Sequence, residues 1–138
     1  MPKKVIPPRN RSPRGWWIGS YIERFEFHDE DRSNPNRRCL AHENTVLLRA
    51  KNRDDAYRKL VALGSVEGSE CWDTATGRRG VWRFEGLTQL LPIYDEIEDG
   101  AEVLWTVHRN RPVRSIQSLV RTKEQLPLFD DNEEAGSA

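Results

Sequence analysis

The chain has 138 residues, of which 36% are apolar and 32% are charged, and its formal net charge is zero. This length suits one domain, and five tryptophans, three tyrosines and four phenylalanines supply the apolar area for one modest core. No window approaches the roughly 20 apolar residues of a membrane helix, and no apolar segment follows the basic N-terminus as in a secretory signal, so we expect a cytoplasmic protein.

The two ends of the chain differ in charge. Residues 1–15 contain four prolines and only basic charges, whereas residues 130–138 contain only acidic charges. Segments of this composition bury too little apolar surface to fold, so we expect a disordered basic arm over residues 1–15. The basic residues of this arm are Lys3, Lys4, Arg9, Arg11 and Arg14.

The first predicted element is a long strand over residues 16–27, because aromatic and β-branched residues alternate there on two partly buried faces. A second strand is predicted over residues 42–50. Asn52 is the expected N-cap of the main helix, whose apolar residues keep helical spacing up to a stop near Gly64.

The second half of the chain begins with a predicted hairpin. Its two short strands cover residues 66–72 and 80–85 and are joined by a turn at residues 73–78. Apolar residues between positions 87 and 97 then return to helical spacing. Because Pro92 would break a long helix, we expect short irregular turns in that region.

Two further elements complete the prediction. Apolar residues alternate over residues 101–107, which predicts a final strand, and a short helix is expected behind Ser115. Strands joined by short turns favour an α+β fold with an antiparallel sheet of about five strands, one main helix and a short C-terminal helix. We therefore expect an α+β domain over residues 16–109, a helical extension over residues 110–124, and a terminal peptide with an acidic tail over residues 125–138.

The middle of the chain carries a family pattern. The matching residues are Trp17, Glu43, Ala56, Tyr57, Lys59 and Gly64, the run Val81-Trp82-Arg83-Phe84-Glu85-Gly86-Leu87, and the groups Tyr94-Asp95-Glu96 and Gly100-Ala101-Glu102. Over about residues 17–102 the chain resembles the bacterial domain of unknown function 4288 family. The resemblance implies a small α+β domain and brings no established activity.

A zinc site is the first chemical hypothesis to weigh. Cys39 and His42 have a Cys-x-x-His spacing, and His28 and Cys71 are the residues that would complete a tetrahedral set. A structural zinc site normally has two closely spaced pairs, whereas this sequence has one. We therefore expect no metal and no other cofactor.

Acidic residues are concentrated in one short stretch, consisting of Asp95, Glu96, Glu98, Asp99 and Glu102. Paired carboxylates perform acid–base catalysis in some enzymes, but no nucleophile or phosphate-binding loop accompanies these. We expect a solvated face or an acidic recognition surface for a basic partner, and no enzyme. Glu43 and Glu102, which match the family pattern, are the acids of most interest.

Nucleic-acid binding has a partial case. The basic arm supplies up to five phosphate contacts, and Trp16 and Trp17 are candidates for stacking on bases. The rest of the chain is balanced in charge and the pI is 6.8, so any weak nucleic-acid contact is expected through the arm alone.

The C-terminal segment Gln125-Leu126-Pro127-Leu128-Phe129 carries the most specific pattern. It is similar to the pentapeptide by which bacterial replication and repair proteins dock on the DNA polymerase sliding clamp, and four of its five positions have the preferred residue. An extended peptide of this kind plants its last two apolar side chains in a pocket. The alternative is that these side chains fold back onto the domain.

These observations predict a non-enzymatic accessory module that docks on the sliding clamp through residues 125–129. One alternative is a toxin-neutralising immunity protein, since small domains with an acidic patch suit that role. A further alternative is an accessory protein that binds nucleic acid through the basic arm.

Overall fold

The computed structural model describes residues 5–66, the backbone of residues 71–72, and residues 75–132. The chain divides into two compact units, Met1–Trp105 and Thr106–Ala138. No helix in the described ranges is long and apolar enough to cross a membrane.

The first unit contains an antiparallel sheet and one helix. The strands are β1 (Trp16–Phe27), β2 (Ala41–Arg49), β3 (Cys71–Trp72) and β4 (Arg79–Pro92), and the helix is α1 (Arg53–Gly64). The strand order is β2-β1-β4-β3, so β1 is central and pairs with β2 and β4. The α+β class and the antiparallel sheet are therefore confirmed.

The core lies between α1 and one face of the sheet. Trp17, Leu48, Ala50, Ala56 and Leu60 form its buried cluster. The Trp17 indole N–H also donates to the Ala50 carbonyl oxygen at 3.2 Å, which satisfies its polar group inside the core. Since Trp17 is only 2% exposed, it is not available to stack on a base.

Two glycines allow α1 to approach the sheet closely. A Cβ on Gly19 of β1 would lie 2.5 Å from the Leu60 side chain, and a Cβ on Gly64 would lie 2.7 Å from the Phe84 ring. Both distances are too short for real side chains, so larger residues here would push the helix off the sheet.

The predicted helix start is confirmed. The Asn52 side chain accepts a hydrogen bond from the Asp55 backbone N–H at 2.8 Å, and the first turn carries Asp54 and Asp55 beside the positive end of the helix dipole. Gly64 is the last helical residue, as its position in the pattern indicates.

The expectation of about five strands is wrong, because the described residues form three long strands and the two-residue β3. Residues 101–107 form no strand, and the apolar Val103, Trp105 and Val107 among them are exposed. Alternation makes a strand only where the segment pairs with another strand, and this segment pairs with none in the described part of the chain. The predicted strand at residues 66–72 is observed only at Cys71–Trp72, and residues 67–70 lie outside the described ranges.

The irregular structure expected over residues 87–97 is wrong as far as Pro92, because β4 continues to that residue, whereas residues 93–97 form no helix or strand. Its pairing with β1 shifts register between Ser20 and Tyr21 and again between Ile22 and Glu23. At each shift the strand has one extra residue, which interrupts the alternation of its side chains between the two faces of the sheet. The apolar residues of β4 therefore have a spacing that resembles that of a helix. Pro92 ends the strand, where a missing N–H is tolerated.

Residues 5–15 contact the domain, although their composition predicts a disordered arm. After a short 3-10 helix at Pro8–Asn10, the Ser12 hydroxyl donates to the Ile93 carbonyl oxygen at 3.0 Å. The Tyr94 hydroxyl donates to the Arg9 carbonyl oxygen, and Arg14 pairs with Glu96 at 2.8 Å. Lys3 and Lys4 lie outside the described residues.

The second unit contains short helical elements. They are α2 (Val113–Gln117) and two 3-10 helices, Lys123–Gln125 and Pro127–Phe129. Over residues 106–132 no residue is buried, so this unit has no core of its own in that range. A short helix is present in this region as expected, but it begins at Val113, so Ser115 lies inside the helix and does not precede it.

Candidate functional site

The C-terminal pentapeptide presents exposed apolar side chains. Leu128 is 83% exposed and Phe129 is 47% exposed. The backbone turns at this point, because the Phe129 N–H donates to the Leu126 carbonyl oxygen at 2.9 Å in the 3-10 helix that begins at Pro127. Pro127 suits this first position, where its fixed φ angle is already that of a helix.

The first residue of the pentapeptide makes local hydrogen bonds. The Gln125 side-chain oxygen accepts from the Thr122 N–H at 2.9 Å, and the Thr122 hydroxyl accepts from the Gln125 N–H at 3.3 Å. These two bonds form a capping box. The Lys123 ammonium also lies 5.1 Å from the centroid of the Phe129 ring, within cation–π distance.

The acidic residues of positions 95–102 lie together. Four of them, Asp95, Glu96, Glu98 and Asp99, line an open cleft of about 400 Å³ with Arg14, which we call the acidic cleft. Glu102 joins them through its backbone, whose N–H donates to the Asp95 carboxylate at 3.1 Å. Glu43 lies elsewhere, exposed on β2 opposite Ile22.

The candidate zinc ligands are not assembled in the described part of the chain. Cys39 is exposed, and the His42 ring stacks on Trp82 with centroids 4.6 Å apart. The Cys71 side chain lies outside the described residues. Among the side chains that are described, no three His, Cys, Asp or Glu residues are placed to share a metal ion.

A second open cleft was not foreseen from the sequence. It has a volume of about 520 Å³, and we call it the aromatic cleft. Its principal lining residues are Arg9, Trp17, Arg53, Tyr57, Tyr94 and Trp105. These come from the N-terminal segment, β1, α1 and the segment after β4, so no local motif indicates their convergence. The one signal in the sequence was the large aromatic Trp105, which the alternation of residues 101–107 assigned to a predicted strand.

A buried carboxylate lies at the other end of β1. Glu26 is 5% exposed, and its carboxylate accepts a hydrogen bond from Arg32 at 2.7 Å and pairs with Arg24 at 3.1 Å. The hydrogen bond from Arg32 holds the pKa of Glu26 below its usual value, and Arg24 adds to the effect. Arg37 likewise lowers the pKa of Glu30, so these pairs fasten the loop after β1.

Comparison with known proteins matches one family. The family model described as a domain of unknown function (DUF4288) covers residues 16–105. No curated protein and no solved structure is significantly similar to the chain. The matched range contains the sheet, α1 and most of the aromatic cleft, whereas the N-terminal segment and the C-terminal pentapeptide lie outside it.

Proposed function

The chain belongs to the DUF4288 family, and from that premise we propose that it is a non-enzymatic accessory module that docks on the bacterial DNA polymerase sliding clamp through residues 125–129. The observation that carries this proposal is the exposure of Leu128, which is 83% accessible to solvent in a peptide of the clamp-binding pattern. A large apolar side chain held in water is available to the pocket of a partner.

The apolar pair supplies a substantial part of the docking energy. Leu128 is almost fully exposed and Phe129 is about half exposed. Burying them in a partner therefore yields roughly 2–4 kcal/mol of gross stabilisation. A micromolar affinity corresponds to about 8 kcal/mol net, so hydrogen bonds from Gln125 and the backbone and contacts of the other pentapeptide residues must supply the remainder and offset the ordering of the tail.

Docking in extended form requires the 3-10 turn at Pro127–Phe129 and two side-chain contacts to open. Gln125 must leave its capping box with Thr122 before its side chain can bond to a clamp, and the Phe129 ring must leave Lys123. Each contact is exposed and worth about 1 kcal/mol or less, so neither prevents micromolar binding. In this function the pentapeptide brings the DUF4288 domain to replicating or repaired DNA.

The test is a calorimetric titration of the purified clamp with the full chain. Replacement of both Leu128→Ala and Phe129→Ala should raise the dissociation constant about 30-fold or more, because the buried apolar area is lost. The matched control replaces Val113→Ala and Val120→Ala, which are 72% and 73% exposed in the same unit but outside the pentapeptide. The control should bind like the parent chain. Equal binding by the parent and the Leu128–Phe129 variant would refute the proposal.

A second candidate function is a toxin-neutralising immunity protein, which the acidic cleft favours. Four carboxylates facing one cleft attract a basic partner and accelerate its association. This function predicts that a toxin gene lies beside the gene of this chain and that the chain suppresses the toxin. Suppression that survives the double replacement Glu98→Gln and Asp99→Asn would exclude the acidic cleft as the binding surface.

A further inference from the structure

The aromatic cleft combines exposed rings with basic side chains. Tyr57 and Trp105 are 56% and 44% exposed although they line a concave surface. The rings of Tyr94 and Trp105 pack side by side, with centroids 5.8 Å apart and planes inclined by 36°. Exposed aromatic residues in a cleft are typical of ligand-binding sites. Aromatic rings are usually buried in the core, and rings that stay exposed in a concave surface are available to a ligand.

The basic groups of the cleft are not neutralised by the protein. Neither Arg9 nor Arg53 pairs with a carboxylate in the described part of the chain. Asp54 is the one carboxylate among the described residues that line the cleft, and it stands beside Arg53 at the start of α1. Guanidinium groups in this situation bind phosphate oxygens.

From this combination we propose that the aromatic cleft binds single-stranded nucleic acid. One base stacks on an exposed ring of the cleft, Tyr57 or Trp105, and Arg9 and Arg53 hold the adjoining phosphates. Stacking accepts any base because every base has a π-face, so binding is expected without a sequence preference. A base in a duplex is already stacked on its neighbours, so duplex DNA binds more weakly.

Two further clefts meet the aromatic cleft at Tyr94, one basic and one acidic. An adjoining open cleft of about 700 Å³ shares Arg9 and Tyr94 with it and adds Arg11. In this second cleft Arg11 can bind the next phosphate of the chain. A strand of several nucleotides therefore binds more tightly than a free nucleotide. The acidic cleft also adjoins Tyr94 and repels phosphates, so the strand leaves past Arg11.

This site does not depend on clamp docking. The basic arm enters the site through Arg9 and Arg11, whereas the aromatic residues and Arg53 belong to the DUF4288 domain. Nothing in residues 125–129 takes part. Variants of the cleft and variants of the pentapeptide therefore separate the two proposals experimentally.

The test measures fluorescence anisotropy of a labelled oligothymidylate of about 12 nucleotides with the full chain at about 50 mM salt. The double replacement Tyr57→Ala and Trp105→Ala should weaken binding about tenfold or more, because base stacking is lost. The Leu128→Ala and Phe129→Ala variant should bind the oligonucleotide like the parent while losing the clamp. Absence of oligonucleotide binding by the parent, or equal binding by the Tyr57–Trp105 variant, would overturn the site.

A conservative variant separates stacking from folding. Replacement of Trp105→Phe keeps an aromatic face and should retain binding within about threefold of the parent. Circular dichroism melting of each variant establishes that the fold is intact. If the phenylalanine variant loses as much affinity as the alanine variant at an unchanged melting temperature, stacking is not the mechanism.

The dependence on salt tests the arginines. Each phosphate contact adds about 0.7 to the magnitude of the slope of log affinity against log salt for a single strand. Replacement of Arg9→Ala and Arg53→Ala should therefore reduce that magnitude by about 1.4. Arg58→Ala, an exposed cation on the same helix but outside the cleft, should leave the slope unchanged. The proposal would be overturned if Arg58→Ala changed the salt slope as much as the Arg9–Arg53 variant does. It would also be overturned if thymidine monophosphate competed for the site as well as the oligonucleotide does.

Discussion

The buried carboxylate of Glu26 offers a quantitative test of the structure. Replacement of Glu26→Gln keeps the size of the side chain and one acceptor oxygen but removes the negative charge. Arg32 at 2.7 Å and Arg24 at 3.1 Å then lose their charged partner, and Arg83 at 3.6 Å loses a weaker one. Arg24 retains Glu85 at 2.6 Å, so its loss is partial.

The magnitude follows from the two short contacts. A hydrogen bond to a charged group contributes about 1.5–3 kcal/mol when it is buried. The Arg32 side chain is 51% exposed and regains water when its partner is lost, which reduces its share. The variant should therefore be destabilised by roughly 2–3 kcal/mol in urea unfolding at pH 7. As a matched control, Glu85→Gln removes a carboxylate that is 47% exposed and should cost below about 1 kcal/mol.

The same carboxylate makes the effect depend on pH. The hydrogen bond from Arg32 lowers the pKa of Glu26 in the folded state below its ordinary value of 4.5. The charged form is thus the stabilising one, and its contribution is present above pH 4.5 and is lost as the pH falls through the lower folded pKa. The difference between parent and Glu26→Gln should shrink in that acidic range. A difference that stays constant down to acid unfolding, or that is below about 0.5 kcal/mol at pH 7, would refute the reasoning.

Two further predictions concern the core and the pentapeptide. Leu60→Ala should lower the free energy of unfolding by about 2–5 kcal/mol because Leu60 is fully buried against Gly19, whereas Leu63→Ala on the exposed face of α1 should cost below about 1 kcal/mol. Denaturant unfolding measures both, and equal losses would mean that α1 does not pack as described. Thr122→Ala opens the capping box and frees Gln125, so it should tighten clamp binding about two- to fivefold in the titration above. Unchanged or weaker binding would show that the box does not compete with docking.

The elements that the sequence predicted well are those with short-range causes. Strand β1 coincides with the alternating pattern of residues 16–27, and α1 begins at the Asn52 cap and ends at Gly64. In both cases the deciding interactions lie within a few residues of one another. The pattern of residues 125–129 is also visible in the sequence, because its residues are contiguous.

The failures of prediction involve partners that are distant in sequence. The register shifts of β1 against β4 hid the strand nature of residues 86–92, because a bulge is a property of the pair and not of one strand. Residues 101–107 alternate like a strand and pair with none in the structure. The aromatic cleft combines Arg9, Tyr57 and Trp105, which are separated by almost fifty residues at each step and share no motif.

The sequence by itself determined the class of the fold, the main helix and the central strand, since each depends on local composition and spacing. Tertiary structure alone decided which apolar residues are buried and which remain in water. Trp17 is enclosed beneath α1, whereas Trp105 and Leu128 are exposed, although all three are large apolar side chains. The physical reason is that burial depends on what the rest of the chain places over a residue, and local sequence does not specify that.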